Sequence, residues 1–65
     1  MQRITNGTTL TVARDSSDLG LDRGMTAHVV WTDGRLMDLD VPSIDARMAS
    51  VPVDHADLAV AEGSV

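Results

Sequence analysis

The strongest constraint in this chain lies between Met25 and Val41, where two strand-like runs flank Asp33-Gly34. An acidic residue followed by glycine between such runs is a hairpin signature, because glycine takes positive φ at little cost. Side-chain period then selects the register. A two-residue loop sets Val29 opposite Asp38 and Ala27 opposite Asp40, mixing apolar and charged groups on both faces. A three-residue loop, Thr32-Asp33-Gly34, pairs Val29 with Met37, Ala27 with Leu39 and Met25 with Val41, leaving one face wholly apolar. The other face carries Val30 with Leu36, His28 with Asp38, and Thr26 with Asp40. A slip of one residue sends every side chain to the wrong face, so the second register is expected.

The same turn grammar opens the chain. Thr5-Asn6-Gly7 matches Thr32-Asp33-Gly34 and predicts a first hairpin over roughly residues 2–14, with Ile4, Leu10 and Val12 on one side. Residues 15–24 are rich in turn formers and read as a loop beneath which Leu19 and Leu21 tuck inward. Pro42 closes the strand that ends at Val41. Beyond it, Ile44, Ala46 and Met48 alternate as in a strand, while Ser43 as the cap of one helical turn is the competing reading. Residues 54–61 allow either a short helix capped by Asp54 or a closing strand at Leu58-Ala59-Val60. The expected fold is a single all-β domain, with at most one short helix near the C-terminus. An SH3-like barrel or a bent antiparallel sheet of four to five strands satisfies these signals.

Composition bounds what such a domain can do. A chain of 65 residues buries only about 60% of the surface its unfolded form exposes. Seven of its hydrophobic residues are alanine and Trp31 is its one aromatic. A core of this kind rarely supplies more than about 3–5 kcal/mol, and without cysteine there is no disulfide or thiolate site to reinforce it. A protein partner or self-association is the expected stabiliser. Nine Asp and one Glu stand against five Arg and no Lys, a net charge of −5. That balance opposes direct nucleic-acid binding, which needs cations to replace phosphate counterions, and opposes anionic membrane surfaces. No apolar run reaches the roughly 18 residues of a membrane span, and residues 1–6 lack a signal-peptide core. A cytoplasmic location, or a virion if the chain is phage-encoded, is expected.

Two stretches carry a resemblance to known small barrels. His28-Val29-Val30-Trp31-Thr32-Asp33-Gly34-Arg35, followed by Val41-Pro42, resembles the V-x-W-x-D-G hairpin of SH3-like and Tudor-like barrels. Leu19-Gly20-Leu21-Asp22-Arg23-Gly24-Met25 is similar to the L-G-L-x-x-G lead-in of TOBE domains, barrels attached to transport ATPases and molybdate-binding proteins. The two matches cover about a third of the chain. Tudor-type ligand reading needs an aromatic cage, which one Trp cannot build. TOBE-type oxyanion binding is implied only for the loop around Ser16 and Ser17, with Thr26 nearby and no Lys to assist.

Each candidate constellation has a structural alternative. His28 opposite Asp38 has the residue types of a base and its orienting carboxylate, yet no nucleophile motif accompanies it, and an exposed cross-strand pair is the expected role. Asp54-His55-Ala56-Asp57 offers metal-binding types, but Asp54 and His55 are neighbours that diverge in a helix or a strand. Asp15, Asp18 and Asp22 lack the spacing of a calcium loop. Trp31, with Arg35 expected directly across, suits either core packing or an interface anchor with a cation–π contact. Met25, Met37 and Met48 fall on apolar faces and are expected in the core. No catalytic residue, metal or cofactor is expected. The leading expectation is a non-catalytic interaction or structural subunit docking on a larger assembly through Val30, Trp31, Arg35 and Leu36, with a phage capsid or tail accessory protein as one instance. An oxyanion-binding module and an acidic inhibitor mimicking nucleic acid are the alternatives.

Overall fold

The computed structural model describes residues 4–61. Five strands form one open antiparallel sheet: β1 (Thr9–Val12), β2 (Thr26–Thr32), β3 (Leu36–Val41), β4 (Ala46–Pro52) and β5 (Leu58–Val60). Their order across the sheet is β4-β3-β2-β1-β5. Helical structure among the described residues is limited to one 3-10 turn, Pro42–Ile44, which links β3 to β4. Both ambiguous segments of the sequence thus resolve largely as strand. Residues 54–57 form turns rather than a helix, and Ser43 lies inside the 3-10 turn without capping it.

The inner face collects the apolar set that side-chain period assigns to it. Leu10, Val12, Ala27, Val29, Met37, Leu39, Val41 and Val51 are buried, and Leu21 joins them from the loop between β1 and β2. Ile4, Leu19, Met25, Met48, Val53, Leu58 and Val60 pack around this centre. Full burial of a Leu or Val side chain contributes about 1.5–3 kcal/mol each before chain entropy is counted, so the loop leucine is a substantial fraction of a small core. Leu21 is positioned by a two-way backbone bridge with Ser16, at 2.8 and 3.0 Å. The buried Ser16 Oγ accepts from the Leu19 N–H at 3.3 Å, and Asp15 Oδ1 accepts from the Arg23 N–H at 2.8 Å.

The central hairpin departs from its expected register. Val29 pairs with Leu39 and His28 with Asp40, a displacement of two residues along β3 that keeps the side chains before the bulge on their expected faces. Nearer the turn, Trp31 pairs with Asp38 and Thr32 with Met37, so Val30 is the extra residue of a bulge. The reversal itself is two residues long, Gly34-Arg35, with the Asp33 N–H donating to the Leu36 carbonyl at 3.3 Å. Gly34 has φ +93° and Arg35 does not enter the positive region, so glycine takes the one left-handed position of the reversal. Asp33 decides this geometry, because its Oδ1 accepts from the N–H groups of both Arg35 and Leu36 at 2.9 Å. A capped two-residue turn and a bulge replace the expected three-residue loop, and His28 consequently does not face Asp38.

The first hairpin is also corrected. Thr5-Asn6-Gly7 does form a turn, with the Thr8 N–H donating to the Thr5 carbonyl at 3.1 Å. Ile4 and Thr5 are not in a strand, and residues 2 and 3 of the expected strand lie outside the described residues. The partners of β1 are β2 and β5. The turn instead sits on the bulged end of β2: the Gly7 N–H donates to the Val29 carbonyl at 2.7 Å, and Asn6 Oδ1 accepts from the Thr32 N–H at 2.9 Å. These bonds satisfy backbone groups that a bulge would otherwise leave unpaired.

Candidate functional site

Strand alternation sends Val30 and Leu36 to the outer face of the sheet, and the bulge at Val30 turns Trp31, which alternation from Val29 directs inward, to that same face. Trp31 stands across from Asp38, and Leu36, two residues before Asp38 on the same side of β3, stands across from Pro52. Trp31, Val30 and Leu36 remain 47%, 42% and 39% exposed, while the inner face is sealed. An apolar cluster therefore occupies the hairpin end of the outer face. Arg35, the fourth residue expected at an interface, is exposed in the turn and not opposite Trp31, because the displaced register and the bulge together bring Asp38 into that place. Ile44, also exposed, belongs to the separate 3-10 turn.

Polar groups border this cluster on β3. Asp38 is half-buried, and its Oδ1 accepts from the Ser50 N–H at 3.2 Å where β4 bulges between Met48 and Val51. Asp33 lies in the turn. The N–H donors of Leu36 first, then Arg35, hold its carboxyl below the usual aspartate range.

The histidines are drawn into local structure. His28 Nδ1 lies 3.3 Å from Thr9 Oγ1, across the β1–β2 pairing. Elsewhere, Thr26 and Ser43 border a shallow open cleft with Arg23, Met25 and Pro42. His55 is largely buried in the β4–β5 connection. Its Nδ1 accepts from the Asp57 N–H at 3.1 Å, which leaves the Nε2 side directed toward Asp18 Oδ2 at 3.7 Å. Asp57 also meets Arg14 Nε at 3.3 Å. This network ties the β4–β5 connection to the loop between β1 and β2, and its residues are brought together by folding, not by the Asp54–Asp57 spacing. Among the described residues, no group of three or more His, Cys, Asp or Glu side chains is arranged to hold a metal ion. No helix among them is long and apolar enough to cross a membrane.

The sequence indicated Trp31, Val30, Arg35 and Leu36 together but placed them in one register. It did not indicate the contribution of Pro52, whose position opposite Leu36 depends on the β3–β4 pairing. No protein-family model matches the chain, and neither the curated proteins nor the solved structures include a match to it.

Proposed function

We propose that this chain is a non-catalytic interaction subunit that docks on a larger protein assembly through Val30, Trp31 and Leu36. The observation that carries this reading is the exposure of the chain's one aromatic residue and two large aliphatic ones together at the hairpin end, on a domain whose buried core is nearly all Leu, Val and Met. Interface hot spots are enriched in buried Trp and Arg, and a small domain gains from covering an exposed apolar cluster around such an anchor. The histidines support the same reading, since each ring is engaged in holding strands or loops together. Virion particles are assemblies of the required kind, in which a chain of this size would serve as an accessory.

The test is capture from an extract of the source organism with the intact chain and with a Val30→Ser/Leu36→Ser variant that retains its strand signal in circular dichroism. A partner held by the first and lost by the second is expected. Identical capture by both, or no capture by either, contradicts the reading.

For the oxyanion alternative, Ser16 is buried with its hydroxyl accepting from Leu19, so Ser17 is the exposed hydroxyl of the expected loop. A second location is the cleft bordered by Arg23, Thr26 and Ser43. Calorimetric titration with molybdate, sulfate and phosphate distinguishes the two readings, and heat from any of them that Arg23→Gln abolishes favours the oxyanion.

A further inference from the structure

Resting on the docking reading, we infer that the surface received by Trp31 and Leu36 is an apolar group flanked by Lys or Arg side chains, and not a second copy of this chain. The inference follows from what any occupant must cover. Asp38 stands directly across from Trp31 and two residues from Leu36 on the same side of β3, so a body seated on these two side chains also covers the Asp38 carboxylate. That carboxylate accepts one backbone N–H, from Ser50, and is already half-buried. Among the described residues, the Arg14–Asp57 ion pair and the His55 contacts to Asp18 and Asp57 lie elsewhere.

Removing a carboxylate from water without a cation to meet it is costly, and a purely apolar partner supplies no cation. A Lys or Arg head beside the partner's apolar anchor meets Asp38 and also favours the face of Trp31. A second copy fits poorly. It brings a net charge of −5 against −5 and, in a symmetric pairing of these faces, sets Asp38 and Asp33 of both chains near one seam. Asp33, at the turn end of the hairpin, extends the same negative border, whereas Asp40 further along β3 stands across from Arg47 on β4.

Trp31 is the chain's only aromatic residue, so its emission reports on this face without a label. The intact chain is titrated with a short amphipathic Leu/Lys peptide, a Leu/Glu peptide of the same pattern, and oligolysine. The Leu/Lys peptide is expected to shift Trp31 emission to the blue, saturably and less tightly as salt rises. The Leu/Glu peptide and oligolysine are expected to leave it unshifted. Asp38→Asn keeps an oxygen for the Ser50 N–H and is expected to weaken Leu/Lys binding about two- to fivefold, as loss of a partly screened ion pair does. Equal response to the Leu/Lys and Leu/Glu peptides, or unchanged affinity in Asp38→Asn, overturns the cationic assignment while docking stands. Silence with all three peptides overturns docking as well. A blue shift that grows with protein concentration alone assigns the face to a second copy.

Discussion

Ser50 is held at φ 59°, in the left-handed region, where β4 bulges. A side chain there costs roughly 1–2 kcal/mol, of which glycine recovers the steric part while losing about 0.5–1 kcal/mol in chain entropy. Ser50→Gly is therefore expected to stabilise the fold slightly and raise Tm by a few degrees in a thermal melt, whereas Ser50→Val lowers it. Asp45, at φ 50° after the 3-10 turn, is a residue type better suited to that region. The turn aspartate gives a second residue-scale expectation. Donors from Leu36 and Arg35 lower the folded-state pKa of Asp33, so the unfolded chain takes up the proton first as pH falls. The stabilisation is present above the ordinary aspartate range and is lost as pH drops through the folded-state value. Asp33→Asn, which retains an acceptor oxygen, is expected to flatten this part of the stability–pH curve in denaturant titrations. An unchanged curve contradicts the capping role.

At the scale of elements, the loop between β1 and β2 is part of the core, not an appendage. Leu21 is 2% exposed and is fixed by the Ser16 bridge. Leu21→Ala is expected to cost about 2–5 kcal/mol, close to all that a core of this size supplies, so the variant should be largely unfolded in the absence of denaturant. Leu19→Ala, on a half-buried neighbour, serves as the mild control. A cooperative urea transition in Leu21→Ala near that of the parent would contradict the loop's role in closing the core. The strand faces, the inward leucines and the turn positions were legible in the sequence because each follows from local period or from glycine chemistry. A two-residue displacement of register preserves faces, which is why Ala27, Val29, Met37, Leu39 and Val41 are correctly assigned although their partners are not. The bulge at Val30 and the seating of Thr5-Asn6-Gly7 on β2 were not legible, since both depend on bonds such as Asn6 to Thr32, 26 residues apart in sequence. Val30 and Leu36 were legible as outer residues from side-chain period, whereas Trp31 was not, since period places it with Val29 and the bulge turns it outward. The acidic border was legible in composition but not in placement, because the two-residue displacement of register and the bulge together bring Asp38 opposite Trp31.

Across the whole molecule the apolar residues fall into two sets by face. The inner set, with Leu21, closes the domain, and the outer set of Val30, Trp31 and Leu36 is exposed and, in the docking proposal, is what a partner covers. Sheet edges contribute less to this division. β5 is only three residues long, and β4 carries Pro52 and a bulge, features that blunt strand addition. The division rests on Trp31, because a tryptophan packed inside the domain would leave no aromatic anchor outside it. The deciding measurement is the emission and acrylamide quenching of Trp31 in the folded chain alone, over a range of concentrations. The account predicts a solvent-exposed spectrum and efficient quenching that do not change with concentration while the strand signal remains intact. A blue-shifted, quencher-resistant Trp31 at the lowest concentration would contradict it, since the cluster would then be part of the core and no docking face would remain.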